Sequence, residues 1–204
     1  MNKHLKIAAA LLVALPTLTF AQVRTEQTFE KGWKFTREDS KDFSQQTYDD
    51  TKWQSVTVPH DWAIYGPFSI ENDKQKVAIT QDGQKEALEH AGRTGGLPFV
   101  GVGWYRLNFE APAFSSGKKA TLIFDGAMSH ARVYINGQEA GFWPYGYNSF
   151  HIDATPYLKA GEQNTLAVRL ENETESSRWY PGAGLYRNCL LYTSPSPRDY
   201  AASR

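Results

Sequence analysis

"ARVYINGQEAGF", residues 131–142, is the stretch that decides the fold class. Val133 and Ile135, on alternate positions, lead into Asn136-Gly137. That dipeptide is the one whose backbone most readily accepts the positive φ angles of a tight two-residue hairpin turn. The same grammar spreads outward along the chain. "WYRLNFEAP" (104–112) sets Tyr105, Leu107 and Phe109 on one face and Trp104, Arg106 and Asn108 on the other. "ATLIFDG" (120–126) alternates Leu122 and Phe124 with Ile123, and "NTLAVRLEN" (164–172) turns Leu166, Val168 and Leu170 inward against Ala167, Arg169 and Glu171 outward. A two-residue period is the signature of a half-buried strand. A trace of helical spacing occurs only over residues 82–90, and "DATPYLKAGE" (153–162) reads as a turn with one loose helical turn started by Pro156. Short strands joined by Gly- and Pro-bearing connections predict an all-β fold: an antiparallel β-sandwich of the jelly-roll kind. Residues 71–96 form a polar connection longer than usual, of the kind that is functional or disordered.

Composition narrows the function. The chain has 204 residues, with 22 basic and 22 acidic side chains, and that balance excludes nucleic-acid or membrane-surface binding driven by charge. Aromatic residues make up 14%, including six tryptophans, which suits strands and also suits flat rings lying on sugar C–H faces. At the N-terminus, Lys3 and Lys6 precede an apolar run broken by Pro16, then Thr19-Phe20-Ala21. This is the layout of a secretory signal over residues 1–21, cleaved after Ala21. The run is short for a bilayer span of roughly 20 residues, so no membrane span is expected after cleavage. The mature protein is expected to be exported, either periplasmic or extracellular.

Several chemistries are missing from the sequence. The five histidines show neither HxH nor HExxH spacing, no CxxC exists, and no nucleophile elbow, P-loop or dinucleotide fingerprint occurs. No metal and no cofactor is expected. Carboxylates group at Asp49-Asp50, at Glu71 with Asp73, and at Glu171, Glu173 and Glu175, each in a polar stretch that reads as solvated surface. A glycosidase acid needs a buried carboxyl with a raised pKa, which none of these surroundings suggests, so no catalytic residue is assigned. What remains is aromatic. "GFWPYGYNSF" gathers Phe142, Trp143, Tyr145 and Tyr147, and "SRWYPGAGLYRN" sets Arg178 beside Trp179 and Tyr180. These rings either close the sandwich core or line a sugar-binding or domain-docking surface.

Taken in order, "EKGWKF", "VTVPHDWAIYGPF", "GVGWYRLNFEAP", the long run from "LIFDGAMSH" to "AVRLEN", and "SRWYPGAGLYRN" resemble the N-terminal sugar-binding domain of glycoside hydrolase family 2. The "PHDW" and "RWYPGAGLYRN" wording is most similar to its exported β-galactosidase-like members. The resemblance implies a jelly roll over residues 22–188, followed in the parent by an immunoglobulin-like domain and a barrel that carries two catalytic glutamates. The parent would hydrolyse a terminal β-linked sugar with retention and without a redox cofactor, and this piece alone would be inactive. Some members lend an Asn and an Asp from the jelly roll to the sugar pocket. The matching positions here hold Val100 and Ser177, leaving Arg178 and Asp61 as substitutes. Two rival readings stay open: a free-standing carbohydrate-binding module, and a structural sandwich of a surface protein. Finally, "CLLYTSPSPRDYAASR" (189–204) resembles a translated sequencing adapter. On that reading the lone cysteine is not native and the native domain is cut at Asn188.

Overall fold

The computed structural model describes residues 24–69, 71–72, 74–90, 99–114, 118–174 and 181–194. The signal expected over residues 1–21 lies outside them. Twelve strands follow one another: β1 (Thr25–Thr28), β2 (Trp33–Thr36), β3 (Gln54–Val56), β4 (Gln75–Val77), β5 (Leu88–His90), β6 (Gly101–Glu110), β7 (Lys119–Phe124), β8 (Ala131–Ile135), β9 (Gln138–Trp143), β10 (Phe150–Asp153), β11 (Gln163–Asn172) and β12 (Cys189–Ser194). A six-stranded antiparallel sheet, ordered β3-β2-β6-β11-β8-β9, faces a four-stranded one, ordered β1-β12-β7-β10. A small β4-β5 hairpin makes up the rest. The expected all-β sandwich is present. No helix forms over 82–90: a 3₁₀ turn at Thr80–Asp82 precedes β5, which pairs with β4.

The hairpin expected at Asn136-Gly137 forms. Asn136 and Gly137 take φ of 52° and 85°, and Ile135 pairs with Gln138 across the turn. The register then places like faces side by side: Leu107 lies opposite Leu166, Tyr105 opposite Val168, and Val168 opposite Val133. These side chains meet Leu122 and Phe124 of β7, Phe150 and Ile152 of β10, and Leu191 of β12 in one continuous core. Each aliphatic or aromatic side chain so buried contributes about 1.5–3 kcal/mol.

The outer face of the six-stranded sheet departs from the simple alternation. Trp104 and Arg106 point outward, yet they are 2% and 1% exposed, because residues 39–53 fold over them. Phe43, Trp53, Trp104 and Ala167 form a second small core there. Arg106 anchors this layer. Its Nε donates to Asp50 Oδ2 at 2.8 Å, and its Nη atoms donate to the carbonyls of Phe43, Gln45 and Tyr48. Asp50 is thus the paired partner of a buried guanidinium, not the solvated carboxylate that its polar neighbourhood suggested.

The segment expected to be a non-native tail, residues 189–204, begins with strand β12. Cys189–Ser194 pair with β7 on one side and β1 on the other. Cys189, Leu191 and Thr193 point inward and are buried. The slot between two strands needs only main-chain donors and acceptors plus an alternating apolar face, and this segment supplies both.

Candidate functional site

At one end of the sandwich, three turns predicted from separate motifs interlock. "PHDW" lies against "PGAGL": His60 N donates to Leu185 O at 2.7 Å and Trp62 N to Ala183 O at 3.0 Å. Met128 and Gly184 exchange both backbone hydrogen bonds. Gly184 has φ of +115°, and a Cβ there would fall 2.5 Å from both His60 O and Tyr105 Oη, so the close approach requires glycine. Asp61 holds the arrangement. It caps the 3₁₀ turn Trp62–Tyr65, and its Oδ1 accepts from both Ala63 N and Ala183 N at 2.9 Å. Its role in the described structure is to brace two loops against each other.

Beneath Asp61 lies a buried polar pair. His60 Nδ1 is 2.7 Å from Tyr105 Oη. Tyr105 is fully buried, and burial pushes its phenol pKa well above the usual value. Burial likewise lowers the His60 pKa, and nearby Arg37 lowers it further against the opposing pull of Asp61. The His60 ring also packs against Phe35 and stacks on Tyr65. The aromatic cluster around this histidine favours its neutral form.

The "GFWPYGYNSF" aromatics split into two roles. Trp143 stacks on Phe150 at 5.8 Å and 11°, packs against the core, and donates from Nε1 to Asn148 Oδ1. It closes the core. Tyr145 and Tyr147 stand out, 56% and 39% exposed, with ring centres 5.4 Å apart and planes tilted by 59°. Tyr186 pins the turn between them by donating to Gly146 O at 2.6 Å, and Met128 packs under Gly146. Arg178, Trp179 and Tyr180 lie outside the described residues, as does Ser177. Of the residues singled out from sequence, the structure therefore brings together the Asp61 loop and the Tyr145–Tyr147 turn, through Gly184, Met128 and Gly146.

The remaining polar groups form no reaction centre among the described residues. No three His, Cys, Asp or Glu side chains cluster as a metal site there. Ser129 and Glu173 both face Nδ1 of His130, at 3.2 and 3.9 Å, so the ring cannot relay a proton from one to the other through its two nitrogens. Glu71 pairs with Lys74 and Glu171 with Arg169. Asp73 and Glu175 lie outside the described residues.

A two-sheet sandwich with its polar and aromatic turns drawn to one end defines a β-sandwich module. Comparison with known proteins places it. The profile of "Glycosyl hydrolases family 2, sugar binding domain" matches residues 27–195. The chain belongs to that family. It is 40% identical over 181 residues to a beta-galactosidase of Bacteroides ovatus, covering 88% of this chain and 19% of that protein. It is 30% identical over 183 residues to a beta-glucuronidase of Formosa agariphila, covering 83% and 17%. Among solved structures, a glycosyl hydrolase family 2 member from Bacteroides cellulosilyticus superposes with a TM-score of 0.69 at 33% identity. That match covers 83% of this chain and 20% of the other. The chain thus spans about a fifth of the length of its relatives and corresponds to their N-terminal part.

Proposed function

We propose that this chain is the sugar-binding domain of an exported, β-galactosidase-like glycosidase that hydrolyses terminal β-linked sugars with retention. The observation that carries this reading is the family match running through both sheets, joined to 40% identity with a beta-galactosidase. We read the sandwich as a jelly roll, residues 1–21 as the export signal, and the protein as periplasmic or extracellular. The acid/base and nucleophile belong to the parent's barrel, outside this chain. In the parent, the interlocked end with Asp61, Tyr145 and Tyr147 is the surface that meets substrate or the following domains. Residues 189–204 are read as adapter-derived. The underlying nucleotide sequence tests this, since different synonymous codons in the constant stretches would discard it.

The function is tested by recovering the uninterrupted reading frame and expressing the full protein. Chromogenic β-galactoside should be cleaved faster than β-glucuronide, and the 204-residue chain should cleave neither. Preference for the glucuronide would overturn the galactosidase assignment. Activity in the short chain would overturn its reading as a non-catalytic piece.

A further inference from the structure

The outer face of the six-stranded sheet carries a cleft of about 750 Å³ between strands β8, β9 and β11 and the loop that includes Asp39. Its polar groups are held in place by one another. Asp39 Oδ1 accepts from Trp104 Nε1 at 2.7 Å and from Arg169 Nε at 3.1 Å, while Asp39 Oδ2 accepts from Arg169 Nη2 at 2.8 Å. Arg169 Nη1 donates to Glu171 Oε2 at 2.8 Å, and Arg132 Nη1 to Glu139 Oε1 at 3.0 Å. The side chains of Asp39, Glu171 and Glu139 nevertheless remain 45%, 40% and 44% exposed. An ionised carboxylate has about four acceptor positions. These pairs fix each carboxylate while leaving lone pairs turned to solvent. Aromatic surface lies alongside. Tyr134 stacks on buried Trp104 at 5.6 Å and 23°, and half-exposed Phe142 carries the Arg132 guanidinium over its ring at 4.8 Å.

We infer that this outer-face cleft binds a neutral oligosaccharide segment, at a site separate from the Asp61–Tyr147 end. Fixed carboxylate and guanidinium groups at neighbouring positions match the vicinal hydroxyls of a sugar ring, donor against acceptor. The half-buried Tyr134 ring in the cleft wall matches its C–H face. The volume suits a ligand of one or two sugar units. Asp39, Glu139 and Glu171 are matched in the cleft wall by Lys41, Arg132 and Arg169, so it offers no net attraction to an anion or a cation. The choice of sugar among polyhydroxylated ligands rests on the proposed function, whereas the location rests on the geometry alone.

The test is titration of the purified 204-residue chain with lactose, cellobiose and sodium glucuronate, followed by NMR of the indole N–H signals. The Trp104 signal is assigned by Trp104→Phe. A neutral disaccharide should shift that signal saturably, because its N–H is bonded to Asp39 in the cleft wall, and glucuronate should bind more weakly. The double variant R132Q/E139Q alters two half-exposed side chains and should keep the circular dichroism of the parent. Each lost charged hydrogen bond should weaken binding about tenfold. Tyr145→Ala should leave the shift unchanged. The proposal is overturned if no neutral disaccharide gives a saturable shift, if R132Q/E139Q binds like the parent, or if Tyr145→Ala alone abolishes binding. Each of these failures leaves the galactosidase assay of the full protein untouched.

Discussion

His60 shows how a single side chain couples this fold to pH. Burial depresses its folded pKa below the ordinary value near 6.5, so the folded chain keeps the ring neutral. The unfolded chain takes up a proton as pH falls through about 6.5, and the folded one does so only at lower pH. Stability from this group is therefore complete above that point and declines as pH drops toward the folded pKa. Urea unfolding at pH 7.5 and 5.5 should show a lower midpoint at the acid pH, with a smaller difference in His60→Gln. An equal difference in both proteins would show that His60 is not the titrating group. Gly103 is a second residue fixed by contact. A Cβ there would lie 2.5 Å from the Trp62 ring, which is fully buried over it. Gly103→Ala should cost about 1–3 kcal/mol in the same assay, and a neutral result would mean that Trp62 does not sit on this glycine. The indole N–H of Trp62 has no hydrogen-bond partner among the described residues, so the ring is held by packing on Gly103, Phe35 and Tyr105.

Elements are held here by partners far away in sequence. The loop over residues 39–53 has little regular structure of its own beyond the 3₁₀ turn Lys41–Ser44. It stays down because Arg106, on strand β6, ties three of its carbonyls and Asp50. Removing the guanidinium leaves a largely buried carboxylate unpaired, a loss of about 3–5 kcal/mol. Arg106→Met should also speed tryptic cleavage after Lys41 and Lys52, already at the surface, by freeing the backbone around them, and digestion no faster than in the parent would contradict the anchor. Strand β12 is the other such element. Cys189 is fully buried, and burial raises its thiol pKa well above normal. A thiol-reactive dye should therefore react with native protein only at the rate of global unfolding. Immediate reaction would show that β12 does not occupy its slot in solution.

Across the whole molecule, both sheets share one core, with Leu166 and Val168 of one sheet in the same cluster as Leu122 and Leu191 of the other. A core this continuous predicts one cooperative transition. Leu166→Ala and Leu191→Ala, on opposite sheets, should each cost about 2–5 kcal/mol and shift fluorescence and circular dichroism together. Separate transitions for the two signals would show that the sheets unfold independently. The strands themselves were legible residue by residue. The two-residue period at Tyr105–Leu107–Phe109 and Leu166–Val168–Leu170 identified the inner faces, and Asn136-Gly137 set the hairpin register through local backbone preference. The ordered motifs from "PHDW" to "PGAGLYRN" pointed to the family.

The site was legible only in part. Alternation marked Arg169 and Glu171 as outward, yet nothing local to them distinguishes a solvated face from a cleft. That depends on Asp39 arriving from 130 positions away to accept from Arg169. Asp50 looked like surface for the same reason, since its partner Arg106 lies 56 positions along the chain. Likewise, nothing local to Asp61 foretells that its carboxylate braces two loops by accepting from Ala183, 122 positions along the chain. The strands, the tight turn and the family could be read locally, because they follow from periodicity, backbone chemistry and ordered motifs. Which polar groups are buried, paired or gathered into a cleft could not, because long-range packing sets their surroundings and the surroundings set their chemistry.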